Sequence, residues 1–422
     1  MSVLAQSSAG LLRDQSAANL LNALRSLETS LRPLHELSRL LPALTARGNE
    51  GERLRLVQAL QDGKSLQPQL MEYRVPKLLG ARNRVDTLLR EVEWLPLPAL
   101  YGARLEEIAL ELAMLDQLGQ AKVVRPLAVR RYGSGQESIN VDGCALSLRA
   151  LARRILDAVE TAPCEPRVLP ASAGRNLPSL SALMQACMAQ ARLDGDVVVD
   201  SRLVAGAAAG ERTVFVAAGP FGICEATRLC VHEVLGHLTA AANGRAQSLR
   251  ILEWGTADSF TDQEGLALFL EDSYGVLDSR RLRILAARVL ATVSMHEGAT
   301  FTAVARALHH DEGLAVEDAV AVTQRAFRGG GVARDTSYLL GFVRVSRAFQ
   351  QGTATLDALR AGRLSLAALP HVAHLEKLGL ARSSIYRPNL ARSFFSTKLG
   401  TTPCKLPPNA AASLISEELT KK

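Results

Sequence analysis

Residues 231–237 read VHEVLGH and contain two of the eight histidines in the 422-residue chain. His232 and His237 are five residues apart, and Glu233 directly follows the first of them. On an α-helix, a spacing of four leaves two side chains about 40° apart, whereas a spacing of five separates them by about 140°. A regular helix therefore cannot direct both imidazoles at one metal ion. A π-bulge can absorb the extra residue, so we predict a distorted helix here, eased by Gly236.

A histidine pair with an adjacent glutamate is typical of zinc hydrolases, which also need a third protein ligand and a general base. Glu233 is placed to be the base, because it follows the first ligand directly. For the third ligand the best candidate is Glu264, near the start of the apolar stretch TDQEGLALFLEDSYG (261–275). Glu271, two turns further on the same helix face, and Asp272 are alternatives that geometry leaves open.

The composition predicts a mainly helical protein. Alanine, leucine and arginine are abundant and aromatic residues make up only 4% of the chain, and these three residues lead the helix-propensity ranking. Hydrophobic residues at 48% and charged residues at 22% are ordinary values for a globular protein. We therefore predict an α+β fold that is mainly helical with a small sheet.

Three regions differ in sequence pattern. Residues 1–120 place leucines three and four apart, as in LLNALRSLETSLRPLHELSRLL, and predict a helical N-terminal domain. Residues 121–382, predicted as the catalytic domain, begin with the strand-like VVRPLAVRRYGSGQ. They include two β-rich segments, 195–201 and 212–219, which we predict to be neighbouring strands separated by the turn-prone AGAAAGE. Residues 383–422 contain many Pro, Ser and Lys residues and predict a tail that wraps the surface or is partly disordered.

Charge and targeting patterns exclude several classes of protein. The formal net charge is +7, but no run of Lys and Arg with interleaved aromatics occurs, so we expect no nucleic-acid binding. No apolar stretch reaches the roughly 18 residues of a membrane helix, and the start of the chain lacks the pattern of a secretory signal. The six cysteines form no CxxC pair, which indicates reduced thiols. We expect a soluble cytoplasmic protein, and the oligomeric state is not predicted.

The combination of HEVLGH with QEGLA (263–267) resembles the QEGLA-motif metallopeptidase family, which includes the microtubule-associated tyrosine carboxypeptidases. HEVLGH alone is also similar to the site of dipeptidyl peptidase III, but QEGLA favours the first family. The resemblance covers roughly residues 120–350. Further matching motifs follow in the family order: Asn243-Gly244 with Gln247, Arg328-Gly329, Arg334-Asp335, and Tyr338-Leu339-Leu340-Gly341.

This resemblance implies a zincin-like metallopeptidase domain that binds one Zn²⁺ per chain. It makes His232, His237 and Glu264 the zinc ligands, and so favours Glu264 over Glu271. Glu233 is then expected to take a proton from water activated by the metal and to pass it to the leaving amine. The expected activity is that of a metallocarboxypeptidase, which trims the C-terminus of a peptide or protein.

The other motif residues receive weaker assignments. Tyr338 is predicted to donate its hydroxyl to the developing oxyanion. Arg328 and Arg334 are predicted to bind a substrate carboxylate, because a guanidinium group can bind it bidentately, or else to form salt bridges within their loop. Asn243 is predicted either to bind the substrate or to shape the turn after the helix that carries the two histidines. The family often has arginine in place of Ala240 and lysine in place of Arg334, so we do not expect a tubulin substrate.

One alternative comes from another class: a non-hydrolytic regulatory or partner-binding protein that retains the peptidase fold. The presence of Glu233 argues against it, because a protein that only holds zinc needs no carboxylate beside the metal. Endopeptidase and dipeptidase activities are also left open, since motif spacing does not measure the length of a cleft.

Overall fold

The fold is taken from a computed structural model of the chain. The structure describes residues 3–44, 49–69, 72–94, 97–141, 144–160, 168–173, 177–201, 203, 205–399 and 409–420. These residues are mainly helical with small sheets, so the predicted α+β class is confirmed. No helix within the described ranges has the length and apolar character needed to span a membrane.

Six helices precede the first strand. They are α1 (Val3–Leu37), α2 (Leu40–Leu44), α3 (Asn49–Gln61), α4 (Ala81–Val92), α5 (Pro98–Asp116) and α6 (Ala121–Tyr132). The helix α6 corrects the prediction of a strand in VVRPLAVRRYGSGQ. Val124, Ala128 and Tyr132 are four residues apart, and all three are buried in one cluster with Leu44 and Leu115. This helical spacing outweighs the β-propensity of the valines.

The strands lie between residues 138 and 222. They alternate with two helices in the order β1 (Ser138–Val141), β2 (Cys144–Ser147), α7 (Leu148–Ala158), β3 (Val168–Pro170), α8 (Leu180–Gln190), β4 (Asp196–Asp200), β5 (Ala207–Ala209), β6 (Thr213–Ala217) and β7 (Pro220–Gly222). β1 pairs with β2 and β3 pairs with β7, both antiparallel. β4 and β6 are neighbours, as predicted, and their pairing is parallel. β5 adds an antiparallel edge strand in the stretch that was predicted only as a turn.

The histidine motif lies on a helix of three consecutive parts. These are α9 (Ile223–Leu229), a π-helical segment (Cys230–Leu238) and α10 (Thr239–Arg245). The Thr239 N–H and hydroxyl both donate hydrogen bonds to the carbonyl oxygen of Val234. The N–H bond spans five residues, which is the π-helical register. The distortion predicted from the five-residue histidine spacing is therefore confirmed.

The rest of the described chain is helical. The elements are α11 (Ile251–Trp254), α12 (Ser259–Ser273), α13 (Ser279–His296), α14 (Phe301–His310), α15 (Val316–Phe327), a 3₁₀ turn (Arg328–Gly330), α16 (Thr336–Gln350), α17 (Leu356–Leu359), a second 3₁₀ turn (Leu366–Ala368), α18 (Leu369–Lys377), α19 (Arg392–Leu399) and α20 (Ala410–Thr420).

Glycines let three of these helices approach at backbone distance. A Cβ atom on Gly341 of α16 would lie 2.0 Å from the carbonyl oxygen of Thr261 on α12, and one on Gly265 would lie 2.2 Å from the Gly341 carbonyl. On the other side of α12, a Cβ on Gly236 of the π-helical segment would lie 3.2 Å from the Ala267 Cβ. The small residues of QEGLA therefore hold α12 between the π-helical segment and α16.

The N-terminal helices and the C-terminal segments share apolar clusters with the central region. Leu31 of α1 and Leu105 of α5 belong to one cluster with Leu252 and Val345. Phe395 of α19 is buried with residues of the π-helical segment. The division into residues 1–120, 121–382 and 383–422 stays a prediction, because shared clusters do not establish which parts fold independently.

Candidate metal centre and active site

The π-helical segment and α12 bring three potential ligand atoms together. The Nε2 atoms of His232 and His237 are 3.2 Å apart. The Oε2 atom of Glu264 lies 3.3 Å from His232 Nε2 and 3.6 Å from His237 Nε2. Among the described residues, this is the group whose donor atoms converge closely enough to hold a metal ion.

The spacing of these atoms fits zinc. Bonds of about 2.0–2.2 Å at tetrahedral angles place zinc ligand atoms about 3.3–3.6 Å apart, close to the three distances found. Glu264 Oε2 is buried and has no hydrogen-bond partner in the described chain. A buried carboxylate oxygen without a partner is costly, and a coordinated cation would satisfy it.

The electrostatics of the site also favour a bound cation. Burial disfavours the charged form of His232, but the carboxylates of Glu264 and Glu271 outweigh it and raise the His232 pKa to about 10. Burial raises the pKa of Glu264, yet its two histidine neighbours hold that pKa well below the usual value. The site thus stabilises positive charge between these groups.

Glu271 supports the site from the other side of His232. Its Oε1 lies 2.7 Å from His232 Nδ1, while Nε2 of the same ring faces Glu264. Glu271 is fully buried, with Arg228 and Arg281 each 3.7 Å from its carboxylate. A carboxylate that accepts the second ring N–H fixes the tautomer and orientation of a ligand histidine. In this geometry Glu271, the alternative third ligand, orients His232.

Replacing Glu271 with glutamine is expected to weaken metal binding by about 10-fold or more. The amide can still accept the N–H of His232, but it removes the negative charge that strengthens the ring as a donor. Zinc affinity measured by competition with a chelator would show the change. Glu297→Gln, an exposed position paired with Arg149, is the matched control. Equal affinities in both variants would contradict the assignment.

Glu233 interacts electrostatically with His232 and is held by the edge of the sheet. It is 6% exposed, and its Oε2 accepts a 2.7 Å hydrogen bond from the main-chain N–H of Ala209 on β5. The edge strand, which the sequence analysis missed, therefore fixes the carboxylate of the predicted general base.

Tyr338 lies at the start of α16, close enough to Glu264 to interact with it electrostatically. Burial, followed by the Glu264 carboxylate, raises the pKa of Tyr338 above its ordinary value. The phenol thus keeps its proton and can serve as a hydrogen-bond donor. Its ring is 6.1 Å from that of Phe260, in an edge-to-face contact, and the Arg334 guanidinium lies 4.1 Å from the Phe260 ring centroid. Arg328 and Arg334 both interact electrostatically with Tyr338.

Asn243 is placed differently from the other predicted residues. It is 1% exposed, and its Nδ2 donates to the carbonyl oxygens of Arg360 and Tyr386. Its Oδ1 accepts from the N–H groups of Ile385 and Tyr386. Because these four main-chain bonds use the whole amide, they disfavour the predicted contact with substrate, which stays a prediction.

The side-chain amides of two glutamines explain further motif positions. Gln247 donates to the carbonyl oxygens of Ala361 and Arg382. Gln263, the first residue of QEGLA, donates to that of Leu364 at 2.8 Å. These amides connect α12 and the end of the helix that carries the histidine motif to the segment that follows α16.

The fold and the site define a mainly helical α+β protein with a candidate His-His-Glu metal centre. The profile of the microtubule-associated tyrosine carboxypeptidase family matches residues 80–398. The chain therefore belongs to this family of carboxypeptidases, which act on protein substrates. No curated protein and no solved structure matches the chain.

Proposed function

We propose that this protein is a zinc-dependent metallocarboxypeptidase that removes residues from the C-terminus of a peptide or protein. The observation that supports it most is the convergence of His232, His237 and Glu264, with the carboxylate of Glu233 close enough to interact electrostatically with His232. Family membership supports the carboxypeptidase part of the proposal. The metal, the exact ligand set and the residue roles are parts of the proposal.

Each residue has a task in the proposed reaction. His232, His237 and Glu264 would hold Zn²⁺, which supplies Lewis acidity toward water and a peptide carbonyl when bound. Glu233 accepts the proton of the attacking water and returns it to the leaving amine. The neutral phenol of Tyr338 donates to the oxygen of the scissile carbonyl as negative charge develops there.

The positions of Arg328 and Arg334 support an exopeptidase. Both guanidinium groups interact electrostatically with Tyr338. Neither forms an ion pair with a carboxylate in the described residues. A guanidinium group beside the reacting carbonyl can bind the α-carboxylate of a C-terminal residue bidentately.

We also propose a zincin-like arrangement for the catalytic region. The three-stranded sheet ends in the antiparallel edge strand β5, and this strand lies against the helix that carries the metal motif. The bond from Ala209 to Glu233 directly joins the two. An experimental structure with bound metal would test the arrangement.

The first experiment is a measurement of metal content in purified protein and in two ligand variants. We expect about one zinc per chain in the wild type and its loss in His237→Ala and Glu264→Ala, because each removes one of three protein ligands. His310→Ala, an exposed histidine on α14, is the control and should keep its zinc. The zinc-loaded protein should release C-terminal amino acids from a peptide library, read by mass spectrometry.

The outcomes separate the candidate functions. Zinc binding without any peptide hydrolysis would favour the non-hydrolytic regulatory alternative. A wild-type protein that binds no metal after zinc is supplied would refute the metallopeptidase proposal.

A further inference from the structure

A turn of three consecutive glycines follows Arg328, one of the two arginines proposed to bind the α-carboxylate of the substrate. Gly329, Gly330 and Gly331 have φ angles of 68°, 86° and 107°, in the left-handed region that favours glycine. Because glycine has more conformational freedom than any other residue, this turn does not fix the position of Arg328 by itself. Contacts from other parts of the chain have to hold it.

Both main-chain groups of Gly329 are held by residues that precede α6. The hydroxyl of Tyr73 accepts a 2.9 Å hydrogen bond from the Gly329 N–H. The N–H of Gly119, between α5 and α6, donates a 3.0 Å hydrogen bond to the Gly329 carbonyl oxygen. The Gly329 N–H belongs to the peptide bond that joins this residue to Arg328. The Tyr73 hydroxyl therefore fixes the backbone directly after Arg328.

The turn is also closely packed against the N-terminal helices. A Cβ atom on Gly329 would lie 2.5 Å from Leu44 Cδ2 of α2 and 3.0 Å from Leu118 Cδ1. The ring of Tyr73 lies near Gly119, where an added Cβ would be 3.9 Å from Tyr73 Cε2. Tyr73 lies between α3 and α4, before the residues that match the family profile. It therefore supports the turn from a part of the chain outside that match.

The side chain of Arg328 lies in the surroundings of the proposed oxyanion donor. Its guanidinium group interacts electrostatically with Tyr338 and Asp335. A bidentate pair between arginine and a carboxylate requires a defined orientation of the planar guanidinium group. Because the side chain starts from the backbone that the turn continues, the orientation of Arg328 depends on how the turn is held.

We propose that Tyr73 is a positioning residue, which holds the glycine turn so that Arg328 can bind the α-carboxylate of the substrate. This inference rests on the proposed carboxypeptidase function and adds a residue that acts through Arg328. Without the Tyr73 hydroxyl, the Gly329 N–H loses its partner and the turn gains conformations. A smaller fraction of the protein then holds Arg328 in the orientation that binds a carboxylate, and the affinity for free C-termini falls by that fraction.

The first test compares KM with kcat in Tyr73→Phe, which removes only the hydroxyl. With a peptide that ends in a free carboxylate, we expect KM to rise about fivefold, the effect of one neutral hydrogen bond. The α-carboxylate is bound equally in the ground state and the transition state, so kcat should stay within about twofold of the wild-type value. A general loss of structure would instead lower kcat, because it removes active protein.

A second measurement isolates the carboxylate. Calorimetry with zinc-loaded Glu233→Gln compares a peptide that ends in a free carboxylate with the same peptide ending in an amide. We expect the free acid to bind at least about tenfold more tightly, the effect of a charge-assisted hydrogen bond. Tyr73→Phe in this background should reduce that preference about fivefold. The affinity for the amide peptide should stay within about twofold, because it has no negative charge for Arg328 to bind.

Two further variants show whether the effect passes through Arg328. Arg328→Gln should abolish the preference for the free acid, and Tyr73→Phe added to it should have no further effect, as expected for residues that act as one unit. Tyr274→Phe is the matched control. It removes a 2.8 Å hydrogen bond from a tyrosine hydroxyl to the carbonyl oxygen of Leu390, at the C-terminal end of α12. This variant should keep the wild-type KM and preference.

The results distinguish this inference from the proposed function. An unchanged KM and preference in Tyr73→Phe would overturn the positioning role and leave the carboxypeptidase intact. An equal loss of affinity for the acid and amide peptides would overturn it as well, and so would a free-acid preference that survives Arg328→Gln. If the zinc-loaded wild type cleaves no peptide, the proposed function fails. The binding comparison in Glu233→Gln then still decides whether Tyr73 positions Arg328.

Discussion

Replacing Glu233 with glutamine is expected to lower kcat by at least about 100-fold and by up to about 10⁴-fold, the range for loss of a general base. Glutamine has nearly the same shape as glutamate, and its carbonyl oxygen can still accept the N–H of Ala209. The amide cannot take a proton from water. The variant should therefore fold normally and bind zinc, and only the chemical step should slow.

Steady-state kinetics with a C-terminal peptide substrate measure this effect, and zinc analysis of the same samples shows whether the metal stays bound. Glu297→Gln again serves as the matched control, because its carboxylate is exposed and pairs with Arg149 away from the metal centre. Full activity in zinc-loaded Glu233→Gln would rule out Glu233 as the base and would require another proton acceptor at the site.

The local part of the candidate site could be predicted from the sequence. The five-residue spacing of His232 and His237 has one geometric solution in a helix that binds a metal, and the structure contains that π-helical segment. Residue geometry alone left Glu264 and Glu271 open as the third ligand, and the family resemblance favoured Glu264. In the structure, the Nε2 of His232 faces Glu264 and its Nδ1 faces Glu271.

Features that depend on contacts between distant segments could not be predicted in this way. β5 consists of alanines, which have low strand propensity. It is a strand because its backbone pairs with β6. Asn243 was matched as a motif residue, but only the fold shows that its amide is used by main-chain groups of residues 360 and 385–386.

The position of Arg288 beside the Tyr338 ring was also not predicted from the sequence. Arg281 and Arg288 are seven residues apart on α13 and thus share a helix face. In the structure Arg281 lies near Glu271 and Arg288 near Tyr338. α13 also carries Arg280 and Arg283, so its sequence pattern alone does not single out the two arginines that meet Glu271 and Tyr338.

Replacing Gly341 with alanine is expected to destabilise the protein by about 2 kcal/mol or more and to weaken metal binding. The new Cβ would lie 2.0 Å from the Thr261 carbonyl oxygen and 3.1 Å from the Gly265 nitrogen, so α12 and α16 must move apart. Overpacking of this kind typically costs about 1–3 kcal/mol, occasionally more. The gain of about 1 kcal/mol from alanine in a helix does not offset a clash with backbone. Because α12 carries Glu264 and α16 carries Tyr338, their separation also disturbs the site.

The matched control is Gly102→Ala on α5, where the nearest atom to the new Cβ is 3.7 Å away, an ordinary contact. There the helix propensity of alanine acts alone, and we expect stability to rise by up to about 1 kcal/mol. Urea unfolding measures both free energies, and chelator competition measures zinc affinity. A Gly341→Ala protein as stable as the wild type, with unchanged zinc affinity, would show that the contact between α12 and α16 does not position Glu264. Loss of both stability and zinc affinity in Gly341→Ala, but not in Gly102→Ala, would mean that Gly341 supports the metal site through the packing of α16 on α12.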